Sequence, residues 1–161
     1  MLFNWKIKKQ NAVKSVSVYI SSVHEQIIIA PYYKNKAGIY FEQEVCSVLS
    51  YPVDYSLLGE EVIRNFHLFK IKDENLRERK QKDWAALRYS KLKTLKAFEA
   101  AYVKIGISGV NESNIILVIE GVFSYDKELN ITASISPFSH KEAIGKLIIK
   151  VYKTCLFNNL E

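Results

Sequence analysis

Residues Val103–Ser136, VKIGISGVNESNIILVIEGVFSYDKELNITASIS, decide the fold. Val103, Ile105 and Ile107 alternate with Lys104, Gly106 and Ser108, the two-residue period of a strand with one buried face. Asn111-Glu112-Ser113 is turn chemistry. Asn114–Ser124 reads as a second strand, and its run Ile115–Ile119 is apolar on both faces, which predicts a central, covered position. Tyr125–Asn130 turns the chain again. Ile131, Ala133 and Ile135 then alternate with Thr132, Ser134 and Ser136. Links this short favour antiparallel neighbours.

The flanks supply the helices. Ser139-His140-Lys141-Glu142 has the spacing of a capping box, in which the serine and glutamate satisfy free amide donors reciprocally. It opens a helix with Ile144, Leu147, Ile148, Val151, Tyr152 and Cys155 on one stripe. Upstream, Leu95, Phe98 and Tyr102 give Thr94–Tyr102 helical spacing, and Trp84–Tyr89 reads as a short helix. Residues 71–82 are nearly all polar and read as an exposed helical turn or loop. Ser56–Lys70 is a further helix, with Ser56 as N-cap and Glu60 and Glu61 near its positive end. Gly59 in that helix allows a close approach to the sheet. Gln26–Tyr33 and Gly38–Val45 form a hairpin through Lys34–Gly38. Ser15–Ile20 is a half-buried strand, with Val16, Val18 and Ile20 inside and Ser15, Ser17 and Tyr19 on the other face. The expectation is one α+β domain over residues 1–161, a twisted, mainly antiparallel sheet with helices packed on it.

Composition agrees with a folded chain. Of 161 residues, 48% are hydrophobic and 25% charged, so a core can form without disulfide or metal support. Cys46 and Cys155 are the only cysteines and share no CxxC spacing. They read as small packed residues in a reducing cytoplasm rather than as a disulfide or zinc site. The start MLFNWKIKKQ has no apolar h-region. Apolar runs such as Ile27–Pro31 fall far short of the roughly 18 residues a membrane span needs.

Catalytic chemistry has no footing in the pattern. His24, His67 and His140 share no metal-ligand spacing with each other or with the cysteines. Glu60 and Glu61 are adjacent and diverge on a helix, so they cannot converge as an acid–base pair. Glu120 follows an apolar run and reads as a strand-end acid near solvent. The chain is therefore expected to be no enzyme and to carry no cofactor.

The net charge of +6 admits an anionic partner. Its densest source is Arg77, Arg79, Lys80, Lys82, Arg88, Lys91, Lys93 and Lys96, interleaved with Trp84 and Tyr89. Such a face could neutralise phosphates and stack unpaired bases, which makes Arg77–Lys96 a candidate single-strand nucleic-acid surface. The more economical reading is a solvated basic face over a core of Trp84, Leu87, Leu92 and Leu95. A third sets the same cations against acidic groups of a protein partner. Tyr40–Gln43 and Ser134–Ser136 are candidate sheet edges, open to an incoming strand or covered by a loop or a second copy.

Several of these pieces occur together in one known family. Gly38-Ile39-Tyr40-Phe41, Leu58-Gly59-Glu60-Glu61-Val62, the block DWAALRYSKLKTLKAFEAAYVKI at Asp83–Ile105, the three strands and Ile144-Gly145-Lys146-Leu147-Ile148 follow in order. In this the chain resembles the CdiI immunity proteins of bacterial contact-dependent growth inhibition systems, over about residues 38–152. The resemblance implies a small cytoplasmic antidote, similar in fold to Whirly single-strand-binding proteins. It also implies a partner, the CdiA-type C-terminal toxin of the same system, a metal-dependent nuclease and often a DNase. In related pairs a toxin β-hairpin adds to the immunity protein's sheet. Binding to nucleic acid itself is then not expected, and a homodimer stays open. The edge and the basic block together nominate Tyr40, Phe41, Glu42, Arg77, Arg79, Lys82, Arg88, Tyr89, Lys91 and Lys93 as toxin-binding residues. An antidote that mimicked nucleic acid would be acidic, so a chain of +6 is expected to bind through shape and edge pairing instead.

Overall fold

In the computed structural model, residues 12–74, 84–124 and 129–157 are described. Eight strands form one sheet: β1 (Ser15–Ser21), β2 (Gln26–Lys34), β3 (Tyr40–Glu42), β4 (Ser47–Ser50), β5 (Lys70–Ile71), β6 (Val103–Gly109), β7 (Leu117–Ser124) and β8 (Leu129–Ile135). Four helices pack on it: α1 (Tyr55–His67), α2 (Ala85–Tyr89), α3 (Leu95–Ala101) and α4 (Lys141–Phe157). The main path runs β3-β2-β1-β6-β7-β8. All pairings are antiparallel except β2 with β5. The α+β architecture expected from the sequence is the one observed.

The central ladder sets Ser15 opposite Ser108 and Val18 opposite Ile105. On one sheet face Val16, Val18, Ile20, Ile27, Ile29, Ile105, Ile107, Leu117 and Ile119 are buried. They meet Leu58, Val62 and Phe66 of α1 and Ile144, Ile148 and Tyr152 of α4. Each such aliphatic side chain contributes about 1.5–3 kcal/mol on burial, so this layer carries most of the stability.

The other face is also covered at β1 and β2. Tyr19, Ile28, Ala30 and Cys46 are buried under Ala85 and Ala86 of α2 and Phe98 and Tyr102 at α3. The expected open face of β1 is therefore closed, with Ser17 and Tyr19 both buried. The physical reason is the segment 84–102, which folds back over the sheet and makes a second, smaller core.

Several local expectations are corrected. The N-cap of α1 is Asp54, not Ser56; its carboxylate accepts from the Leu57 amide at 3.0 Å. Glu60 and Glu61 consequently lie beyond the first turn, where no acid sits. Gly59 does face a close approach, but to α4 rather than to the sheet: a Cβ there would collide with the Lys141 carbonyl oxygen. Gly145 stands in the same relation to the Tyr55 carbonyl. The two helices thus touch backbone to backbone at two points. At the start of α4, Glu142 pairs with Lys146 at 2.6 Å rather than closing a box with Ser139.

The last strand but one is shorter than expected. Asn114 adopts a left-handed φ of 54°. Its side chain accepts from Lys14 N at 2.8 Å and donates to the Ala12 carbonyl at 3.0 Å. That bracket turns the chain, so β7 starts at Leu117, and Ile115 and Ile116 are exposed rather than central. Gly38–Val45 contracts to the three residues of β3, and β4 and β5 are additional short strands along β2. Asn130, expected in a turn, is already in β8. Most of the polar segment 71–82 and of the turn 125–130 lies outside the described residues.

Candidate partner-binding site

β3 brings Tyr40, Phe41 and Glu42 to the start of α2. Alternation along so short a strand sends Tyr40 and Glu42 to one face and Phe41 to the other. Glu42 is only 2% exposed. One carboxylate oxygen accepts the Tyr19 hydroxyl at 2.5 Å; the other accepts the Ala86 amide at 2.8 Å. Burial pushes the Glu42 carboxyl above the usual carboxylate range, opposed by the amides of Ala86 and Ala85, the Tyr19 hydroxyl and the Lys104 charge. Burial beside Glu42 likewise drives the Tyr19 phenol upward. Glu42 thus acts internally: it holds α2 onto the sheet.

Above this latch lies a cavity of about 230 Å³ lined by Tyr32, Tyr40, Phe41, Glu42, Trp84 and Lys104, with Ile39 at its edge. Lys104 Nζ stands 5.3 Å from the Trp84 ring centroid and 5.9 Å from that of Tyr19. Tyr40 donates to the Val13 carbonyl at 2.9 Å. Its ring lies 5.9 Å from Phe69, with Lys34 Nζ 5.3 Å away. Phe41 is buried against Tyr33 at 5.4 Å.

The structure joins part of the basic block to the segment that follows β3. Arg88 Nη2 and the Tyr89 hydroxyl both donate to the Glu44 carbonyl, at 3.3 and 3.1 Å. Lys91 reaches the His24 carbonyl at 3.3 Å. Lys93 is exposed on the turn before α3. Arg77, Arg79 and Lys82 lie outside the described residues. The aromatic rings of the block are committed inward: Trp84 is half-buried under Lys104, and Tyr89 packs against the second core. Leu87, Leu92 and Leu95 also pack there, as a basic face over a core requires.

The two sheet edges differ. Side chains of the β3–β4 edge bond inward at two points. Gln43 Nε2 donates to Tyr32 O at 3.0 Å and Leu68 O at 2.7 Å, and the Ser47 hydroxyl accepts from Arg64 and Asn65 at 2.9 and 2.8 Å. β8 pairs with β7 alone among the described residues. It is seven residues long with no charged group, and Thr132, Ser134 and Ser136 are exposed while Ile131, Ala133 and Ile135 lean on α4.

No catalytic grouping emerges among the described residues. No cluster of three His, Cys, Asp or Glu side chains could hold a metal there. Glu120 is exposed on β7, His140 is exposed, and His24 stacks on Tyr102 at 5.7 Å. Cys46 and Cys155 are free and buried; burial, with Glu42 nearby, pushes the Cys46 thiol up to about 12. No helix among the described residues is long and apolar enough to cross a membrane. The latch among Tyr19, Glu42 and Ala86 was invisible in sequence, since its three residues are scattered. The aromatic run Tyr32-Tyr33 beside Tyr40-Phe41 was the available hint of a packed strand pair.

No protein-family model matches the chain, and no curated protein does. Solved structures similar in fold include the following two. A protein of unknown function from Neisseria meningitidis superposes with a TM-score of 0.66 at 17% identity, over 98% of each chain. A chain of the CdiA-CT/CdiI toxin and immunity complex from Yersinia pseudotuberculosis superposes with a TM-score of 0.67 at 13% identity, over 89% of this chain and 98% of that one. Identities this low speak for architecture alone: the chain has a fold also found in a toxin and immunity complex.

Proposed function

We propose that the chain is a non-catalytic immunity protein, which binds and neutralises the C-terminal toxin of its own contact-dependent growth inhibition system. The observation that carries this reading is the fold shared with the CdiA-CT/CdiI complex over 98% of that structure's chain. The fine detail is our own inference. The toxin is a nuclease, and one of its strands adds to the edge of β8. An open edge supplies backbone donors and acceptors, and the side chains beside it select the partner. Among the described residues β8 is neutral and pairs with β7 alone, whereas the β3–β4 edge is the shorter of the two and carries Glu42 and Gln43, whose side chains bond inward. Proteins normally protect such an edge with lysine, proline or a bulge, and residues 130–135 of β8 have none of these.

The experiment is to purify the chain with the toxin domain encoded beside it and measure affinity and residual nuclease activity. Thr132→Lys/Ser134→Lys places two charges on exposed edge positions. Stability is expected to move by less than about 0.5 kcal/mol, as for other surface changes. Toxin affinity is expected to fall by about ten-fold or more. A wild-type chain that neither binds the toxin nor lowers its activity ends the immunity reading. Unchanged affinity in the double variant ends the β8 assignment alone.

A further inference from the structure

A second cavity, of about 450 Å³, opens where β1 begins, α1 ends and β8 runs out. Lys14, His67, Lys70, Ile71, Pro137 and Phe138 line it, with Glu112 as the acid of the wall. Lys14 Nζ bonds His67 Nδ1 at 3.3 Å and lies 5.8 Å from the Phe66 ring. Both neighbours are neutral when His67 is unprotonated, so the ammonium is held in place without losing its charge to a carboxylate. Burial, then the charges of Lys14 and Lys141, keep His67 below its ordinary titration range. Beside these cations Phe138 is 82% exposed. The backbone beneath it is held: its amide donates to Ser136 Oγ at 3.2 Å and Ser139 N to Ser136 O at 3.0 Å. An exposed aromatic on a held backbone, next to the half-buried Lys14 and the exposed Lys70, is the composition of a binding hot spot.

We propose that this cavity receives an acidic side chain of the protein partner, flanked by an apolar residue that packs on Phe138 and Ile71. The inference rests on the reading of the chain as a protein-binding antidote. Charge complementarity selects the occupant. The preceding segment, residues 1–11, carries Lys6, Lys8 and Lys9 and no acid, so the chain's own start is a poor fit. A second copy brings a further +6. A nucleic-acid strand needs a track of cations along its backbone rather than two lysines in a half-apolar hollow.

The test uses the full chain and the toxin domain in a calorimetric or biosensor titration. Lys70→Glu/Phe138→Ser changes two exposed positions, and a thermal melt checks that it folds; Lys14→Gln is the second variant. Lys150→Glu/Lys153→Glu on α4 is the charge control. About ten-fold weaker binding in the cavity variants, with the control within about two-fold, supports the proposal. Equal weakening in both, or in neither, overturns it. If the wild type binds no toxin the immunity reading falls, and the cavity is judged by a capped Glu-Leu-Glu-Phe-Glu peptide. Saturable shifts of the Ile71, Asn114 and Phe138 amides that vanish in the double variant keep the proposal. Their absence, or stronger shifts with a single-stranded oligonucleotide, overturns it.

Discussion

Replacing Glu42 with alanine would expose how much of the second core hangs on one carboxylate. The side chain is 2% exposed and accepts from the Tyr19 hydroxyl and the Ala86 amide. Alanine leaves both donors unpartnered in a dry site, at about 1–3 kcal/mol each. A total near 4 kcal/mol is expected, a large share of an ordinary domain's stability. Glutamine behaves differently. Its oxygen can accept from Ala86, and the Tyr19 hydroxyl can turn to accept from the new amide. It also removes a buried charge, which is costly to hold. Glu42→Gln is therefore expected to cost about 1 kcal/mol or less. Urea unfolding followed by circular dichroism measures both. Hydrogen exchange at the Ala86 amide reports the latch itself, since a five-residue helix such as α2 does not persist alone. The reasoning is refuted if alanine costs less than about 1.5 kcal/mol, or if glutamine costs as much as alanine.

Other expectations concern pH and close packing. Because burial raises the Glu42 carboxyl in the folded state, the native chain holds its proton longer than the unfolded one. That group's contribution to stability falls as pH rises from the unfolded carboxylate range through the raised folded value. The wild-type minus Glu42→Gln stability difference should therefore drop over that window and be flat below it, as unfolding at a series of pH values will read. Gly59→Ala puts a methyl into the Lys141 carbonyl and should cost about 3 kcal/mol in denaturant unfolding; a neutral result would contradict the backbone contact of α1 with α4. Asn114→Ala loses the bonds to Lys14 N and Ala12 O and strains a φ of 54°. A loss of about 2 kcal/mol is expected. Asn114→Gly relieves the strain alone and should recover only part of it.

The alternating strands were legible because each buries one face against α1 or α4 and leaves the other polar. Val103–Gly109 and Leu129–Ile135 are of this kind, as is the wide stripe of α4. What failed were features set by distant residues. Nothing near Tyr19 says that α2 will cover it, and nothing near Gly59 says that its neighbour is Lys141. Asn114 reads as a strand start until its side chain is seen binding the backbone 100 residues away at Lys14. Ser47–Ser50 and Lys70–Ile71 are too short to carry a period. Of the nominated residues, Tyr40 and Phe41 line a cavity and Arg88 and Tyr89 bond the Glu44 carbonyl just past β3, while the β8 edge lies where Ser134–Ser136 pointed. The inward use of Glu42 was not visible, because a carboxylate in a short strand ordinarily faces water.

The pairing of β1 with β6 has a consequence for how the chain is made. Ser15 sits opposite Ser108 in the middle of the sheet. During synthesis the early hairpin of β1 and β2 must therefore wait, one flank unfilled, until residue 108 of 161 has emerged. Joining such distant segments costs loop-closure entropy before any contact repays it, and sheets built this way fold in about milliseconds to seconds. The growing chain meanwhile exposes Val16, Val18 and Ile20, which are fully covered in the finished molecule. Its vulnerable interval thus ends late, when Lys141–Phe157 closes over the sheet.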